Sequence, residues 1–333
     1  MSKRTVSSID IAKFFFSICI VVLHSDVYRG LPGMLPSLVE KLVLRLAVPF
    51  FFIASGYFLG MKLKTGSVET SIRQYVARLL PPFLVFGAIN TVLEMIKMYQ
   101  SESGHIAVTV LQHLLFYPYG ALWYVSASML GAWLLIPFLK RNRLNLALAV
   151  GGVLYCWALL CNNYYFLTTP IRWIVDTYLR IFISARNGVF VGFFMLAIGI
   201  KLSTIDIPAV KVKGWTVLFF LLYVAEICVV RTFPSADDAA LYVMLPVFIA
   251  CFVITLLQMP FSLPERTSRS LRSLSTGIYF QHRMWLSVIA LLNITQNRAI
   301  AAGLTIAASI LCCAAAQHAA GKAKSKLPKN MQK

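Results

Sequence analysis

Long apolar stretches alternate with short polar breaks along this chain, and their spacing predicts a bundle of membrane-spanning helices. A hydrocarbon core about 30 Å thick needs roughly 20 apolar residues per helix. On that ruler ten spans are predicted, at residues 9–28, 42–61, 79–98, 122–139, 144–161, 187–202, 214–230, 239–258, 275–293 and 299–317. The apolar runs are continuous instead of alternating every second residue, which excludes a β-barrel. The expected fold class is an all-α integral membrane protein. The first run is long enough to span and lacks a small-residue cleavage site, so it reads as a helix and not as a leader.

Composition sharpens this reading. The 333 residues are 59% hydrophobic and 13% charged, against about a quarter charged in soluble domains. The net charge is +19, yet the cations are scattered among short loops, which speaks against a nucleic-acid partner and for membrane topology. With a cytosolic N-terminus, 20 Lys and Arg fall in inside segments, eight in outside segments and three within spans. Both termini are therefore expected in the cytoplasm.

Residues 1–320 read as one transmembrane domain, and residues 321–333, ending KAKSKLPKNMQK, as a basic cytoplasmic tail beside anionic headgroups. No internal repeat is visible, which weakens an inverted-repeat transporter reading. The sizeable outer connections are 99–121 and 162–186; the second, aromatic and basic, suits an interfacial helix or a lid. The seven cysteines form no CxxC pair, so neither a disulfide framework nor a metal site is expected.

The polar residues inside the spans carry the chemistry, because charged groups there are costly and usually line a cavity. In the first span, IDIAKFFFSICIVVLHSD, Lys13 and His24 are eleven residues apart. That is close to three helical turns, about 16 Å along one face. Lys13 can reach the cytosolic surface, whereas His24 falls in the outer half. Asp10 suits the N-terminal end of this helix, as a cap or dipole partner. Arg45, four residues into the second span, is expected at the depth of His24, as a site cation or as a partner for Asp26. Ser55-Gly56 offers a surface for close helix packing. Arg78 precedes Pro81-Pro82, which are expected in the first turn of the third span, and Trp123-Tyr124 are expected to anchor the fourth at the outer interface. His282, in YFQHRMW, is expected in the inner half of the ninth span. Glu94, one turn after Asn90, and Glu226 are intramembrane acids without a role; His105, His113 and His318 read as loop or interfacial residues.

Six segments, SIDIAKFFFSICIVVLH, RLAVPFFFIASGYFL, YVARLLPPF, ALWYVSASMLGAWLLIP, ARNGVFVGFFMLAIG and TGIYFQH, follow one another in the order found in the acyltransferase 3 family of bacterial membrane proteins, which the chain resembles over nearly its whole length. The resemblance implies transfer of an acyl group, most often acetyl, from cytosolic acyl-CoA to a hydroxyl of an extracytoplasmic glycan, in the bacterial inner membrane. It implies His24 as catalytic base, with no metal. The family pattern has an arginine eleven residues before that histidine; here it is Lys13, which keeps the charge and loses the bidentate fork. The family also shows two arginines three apart at the third helix; here the second is Arg78 and the first falls on Tyr75, with Arg73 nearby. Lys13, Arg73 and Arg78 are the expected donor-binding cations, His282 a further residue of the donor channel, and Arg45 a catalytic residue at the oxyanion or acceptor. The alternative expectation is a transporter or solute-binding module of the same fold, drawing on Glu94 and Glu226.

Overall fold

The computed structural model describes residues 7–100, 106–205, 209–236 and 240–326, apart from the side chains of 209–211 and 320–326. His105, the last seven residues of the basic tail and the side chains of Lys322, Lys324 and Lys326 lie outside the described residues. Every regular element among those described is helical, with no strand. The helices are α1 (Ser7–His24), α2 (Leu35–Leu42), α3 (Ala47–Leu63), α4 (Val68–Gln100), α5 (Ile106–Leu115), α6 (Trp123–Lys140) and α7 (Leu144–Leu160). They continue as α8 (Arg172–Phe182), α9 (Phe193–Leu202), α10 (Ala209–Val230), α11 (Met244–Leu257), α12 (Glu265–Leu291) and α13 (Arg298–Lys326).

By length and hydropathy, six described helical stretches can cross a membrane: Ser7–His24, Leu35–Leu63, Val68–Gln100, Trp123–Lys140, Val212–Val230 and Arg298–Ala319. Leu144–Leu160 and Tyr165–Phe182 form a further pair bent by 93°, and Gly188–Leu202 and Met244–Leu257 are shorter apolar helices. Six of the ten predicted spans thus fall on helices that can cross, while those at 144–161, 187–202, 239–258 and 275–293 overlap helices that do not meet that measure alone. The first helix stops at His24, because Asp26 takes a left-handed conformation (φ 56°) and ion-pairs with Arg29 at 2.9 Å. The third predicted span begins eleven residues early, at Val68, so Pro81 and Pro82 lie inside α4 and not in its first turn. Membrane helices tolerate this because neighbouring groups re-satisfy the freed carbonyls. The ninth begins at Glu265, ten residues early, since Arg266, Arg269 and Arg272 continue the helix on its polar end.

Two helix seams organise the bundle. Along one, α3 and α9 meet backbone to backbone: a Cβ on Gly56 would lie 2.4 Å from the Leu196 carbonyl oxygen, and one on Gly199 would lie 2.2 Å from that of Ile53. Only glycine fits at these two positions, which fulfils the packing role expected of Gly56. Along the other, α1 and α12 run in the same direction and touch at three levels. Ser7 Oγ lies 3.4 Å from Ser268 Oγ, Arg272 Nε lies 3.8 Å from Asp10 Oδ2, and the rings of His24 and His282 stack. The core between the seams is aromatic and aliphatic, with Phe50, Phe52, Ile53, Leu196 and Ile249 fully enclosed.

The connections at 162–186 and before α11 are tied down by polar groups. The Glu226 carboxylate on α10 accepts from the backbone N–H groups of Val243 (2.5 Å) and Met244 (2.8 Å) and from the Tyr164 hydroxyl. It therefore caps the start of α11 from a neighbouring helix, where a negative charge is favoured by the exposed amides. Asn162 Oδ1 accepts from Ala240 N and Leu241 N at 2.9 Å each, holding the same loop. The stretch 162–186 is a short 3-10 turn followed by α8, set across the end of α7. Its exposed Trp173 and Leu167 and buried Val175 give the two-faced character of an interfacial helix.

Candidate functional site

The last turn of α1 delivers His24 to the meeting point of two cavities. One, of about 230 Å³, is lined by the upper part of α1, the segment Leu44–Phe52, the loop Tyr117–Trp123, Arg186 and the α12 residues Tyr279 and Arg283. The other, of about 370 Å³, lies between the C-terminal ends of α1, α4 and α12 and the start of α13. His24 and Arg283 line both, so these two side chains form the partition.

On α12 two neighbours of His24 are consecutive. His282 is fully buried and stacks on His24, ring centroids 5.2 Å apart and planes at 25°. Its Nδ1 lies 2.6 Å from the Tyr279 carbonyl oxygen, while its Nε2 is buried without a protein partner. A carbonyl can only accept, so Nδ1 carries the hydrogen and Nε2 presents a lone pair. Arg283 reaches towards Glu94 at 4.0 Å, and Glu94 accepts from Lys97 Nζ at 2.9 Å. Glu94 thus acquires a role that the sequence did not assign, as the carboxylate shared by two cations beside the larger cavity.

His282 therefore stands level with His24, at the opposite end of α1 from Lys13, and not toward the Lys13 end as expected. The displacement follows from the early start of α12, which puts His282 seventeen residues, about 25 Å, from the helix N-terminus.

Arg45 lines the smaller cavity with His24, at the expected depth. It pairs with Glu40, Arg45 Nη2 2.6 Å and Nε 3.1 Å from Oε1, while Asp26 is engaged by Arg29. Arg186 was unassigned by sequence, although it sits in the ARNG segment. It is buried between the rings of Tyr117 (5.5 Å) and Trp123 (5.3 Å) and lines the same cavity. The neighbouring Asn187 accepts from Val189 N and Phe190 N, opening a π-helical turn over Gly188–Gly192 and fixing Arg186 at the rim. Trp123 and Tyr124 face the interior instead of the lipid interface: Trp123 stacks on Tyr117, and Tyr124 packs on Phe52 and Tyr279.

The roof of the smaller cavity is a strained turn. Gly120 and Ala121 both have positive φ, 74° and 60°, a region costly for alanine. The Tyr279 hydroxyl donates to the Ala121 carbonyl at 2.6 Å, and a Cβ on Gly120 would strike Asn90. Asn90 therefore supports this turn, and His113 completes it by stacking on Tyr119 at 4.1 Å.

At the other end of α1, Lys13 Nζ sits 4.8 Å from the Phe58 ring centroid, with Asp10, Arg78 and Arg272 within electrostatic reach. Arg78 lies over the Tyr75 ring at 5.9 Å. Lys13 and Arg78 are thus brought together as expected. Arg73 and Arg78 are both exposed, and five residues of helix place them about 140° apart around α4. Between the two ends runs a column of aromatic and hydroxyl groups: Tyr75, Ser55 with Tyr124 (3.3 Å between oxygens), Tyr279 and then His282. Among the described residues, no three His, Cys, Asp or Glu side chains converge where a metal ion could sit.

Three curated relatives align with this chain. Two proteins of Enterococcus faecalis named amino-acid racemase are 22% identical over 86% of the chain and 25% identical over 77%. A serine/alanine racemase of Enterococcus gallinarum is 24% identical over 74%. The aligned regions cover 42%, 36% and 36% of those proteins, so the chain spans less than half the length of the curated relatives it matches. No solved structure matches. The sequence of the acyltransferase domain that defines the acyltransferase 3 family matches residues 6–317, nearly everything from the start of α1 into α13, and the chain belongs to that family of membrane proteins.

Proposed function

We propose that this protein is an O-acyltransferase of the bacterial inner membrane, crossing it ten times with both termini cytoplasmic. It moves an acyl group, acetyl in the simplest case, from cytosolic acyl-CoA to a hydroxyl of an extracytoplasmic glycan. The observation that carries the reading is the placement of His24, at the junction of two cavities and one helix face above Lys13.

The donor's phosphates are polyanionic and match the Lys13–Arg78 cluster, with Arg272 beside it. Arg73, facing away, contributes at most to the approach. The pantetheine arm then extends about 16 Å along α1, past the hydroxyls of Tyr75 and Tyr124, and presents the thioester in the smaller cavity. There the acceptor oxygen attacks the carbonyl carbon as His24 takes its proton. The C–O bond forms, the C–S bond breaks, and the proton passes from His24 to the departing thiolate. Arg45, Arg186 and Arg283, all within electrostatic reach of His24, stabilise the oxyanion of the tetrahedral intermediate. His282 holds the His24 ring by stacking and is itself fixed by its bond to Tyr279.

The transporter alternative draws on Glu94 and Glu226, and both have other occupations: one pairs with Lys97 and Arg283, the other caps α11. The racemase names of the longer relatives add no chemistry to this site.

The test is label transfer in inverted membrane vesicles supplied with acetyl-CoA labelled in the acetyl group, with wild type beside His24→Ala at equal protein levels. Label reaching lumenal glycan in wild type alone supports the reading. Absence of transfer from any acyl-CoA, with a competent acceptor present, overturns it.

A further inference from the structure

Two imidazoles border the smaller cavity, His24 from the end of α1 and His113 from the last turn of α5. The acyl-transfer reading uses only the first. His113 is held firmly in place. Its Nδ1 lies 2.8 Å from the Tyr117 carbonyl oxygen, and its ring stacks on Tyr119 with centroids 4.1 Å apart. The preceding residue, Gln112, donates to the Arg180 carbonyl of α8 at 3.0 Å and so ties down the helix that carries it. A carbonyl can only accept, so the hydrogen is on Nδ1 and Nε2 carries a lone pair. Among the described residues no group donates to that nitrogen. The stack accounts for the ring and the Tyr117 bond for Nδ1, while Nε2 is surplus to both.

The rest of the lining suits one kind of molecule. Phe52, Tyr117, Tyr119 and Trp123 give the cavity aromatic walls, with a few polar side chains among them. A sugar ring has the matching character, C–H faces for aromatic surface and hydroxyls for singly placed polar groups. Arginines in the lining can only donate, so a hydroxyl that donates needs an acceptor such as an imidazole lone pair. The volume, about 230 Å³, lies below the usual range for ligand sites of about 300–1,000 Å³. Such a space takes the reacting end of a larger molecule and leaves the remainder outside. The left-handed turn at Gly120-Ala121, bonded to Tyr279, fixes the loop on which His113 leans, so its nitrogen is preorganised.

We infer that His113 binds the acceptor: its Nε2 accepts a hydrogen bond from a second hydroxyl of the sugar whose reacting hydroxyl gives its proton to His24. The acceptor end is thus a polyhydroxylated ring recognised through two hydroxyls and not one. The inference rests on the acyl-transfer reading for the reacting hydroxyl; the sugar site itself stands on the cavity lining and on His113.

The experiment measures binding first, by saturation-transfer NMR titration of the full chain in nanodiscs without donor. The probes are methyl β-glucoside, methyl β-galactoside and the monodeoxy analogues of each. One parent sugar is expected to bind about 3- to 10-fold tighter than one of its deoxy analogues, the effect of one hydrogen bond. His113→Phe, which keeps a ring to stack on Tyr119, should erase that difference by weakening the parent alone. His113→Gln, which keeps an acceptor oxygen, should retain part of it. Equal weakening of parent and analogues in His113→Phe assigns a packing role and overturns the inference. A parent bound no tighter than its analogues by folded wild-type protein, or not bound at all, overturns it as well. Labelled acetyl-CoA is then added: a hydroxyl preference without any transfer sinks the acyltransferase reading and leaves the sugar site standing, whereas transfer without the preference sinks this inference alone.

Discussion

The rings of His24 and His282 lie stacked, 5.2 Å between centroids, although 258 positions separate them in the chain. One closes α1 and the other sits deep in α12, so their meeting depends on the parallel pairing of the first helix with the second-last. On the proposed mechanism His282 does not touch the substrate and instead fixes the plane of the His24 ring.

This makes His282 a positioning residue with a measurable signature. His282→Ala is expected to lower kcat for acetyl transfer by about 10- to 100-fold with little change in the donor KM, a loss of geometry and not of binding. His282→Asn keeps an N–H for the Tyr279 carbonyl and should recover part of kcat. A purely structural role predicts instead a lower Tm with normal kcat per folded molecule.

Near Lys13 the structure separates two cations that the sequence treats alike, Arg73 and Arg78. Lys13→Ala is expected to raise the KM for acetyl-CoA by about tenfold, one lost charge-assisted contact, with kcat nearly unchanged. Arg73→Ala, on the opposite side of α4 from Arg78, should leave that KM within twofold. Equal effects of the two substitutions would contradict the placement of the donor phosphates beside Lys13.

Glu226 offers a test of structure against transport. Glu226→Ala leaves the first amides of α11 and the Tyr164 hydroxyl without their acceptor, at a cost of about 1–3 kcal/mol. Thermal unfolding in detergent should shift down, while transfer per folded molecule stays near wild type. Activity that vanishes with an unchanged Tm would assign Glu226 to chemistry.

Tyr279→Phe removes the bond to Ala121, which holds the turn at Gly120-Ala121 in its left-handed conformation. Backbone amides of residues 117–123 are expected to exchange faster with solvent. Acetyl transfer should fall through a weaker apparent KM, since this turn roofs the smaller cavity.

Much of this was legible in the sequence, and the failures have physical causes. The helix positions followed from apolar run length, and the shared face of Lys13 and His24 from eleven-residue spacing within one unbroken helix. Helix ends are harder, because arginines at 266, 269 and 272 look like a loop by hydropathy yet continue α12, and that shift brings His282 level with His24. The Arg45–Glu40 pair was missed because the local fold between α2 and α3, and not span depth, decides it. Arg186 was missed because its partners Tyr117 and Trp123 lie some 60 to 70 positions earlier in the chain. A lone arginine in an outer loop carries no local signal of burial.

The glycine seam between α3 and α9 has a mechanical corollary. Backbones in direct contact leave no room to slide, so that side of the bundle is stiff. Across the molecule, α4 and α13 present most of their surface outward, and these two helices border the larger cavity. Two walls of that cavity are therefore outward-facing helices, on which lateral pressure in the bilayer bears directly.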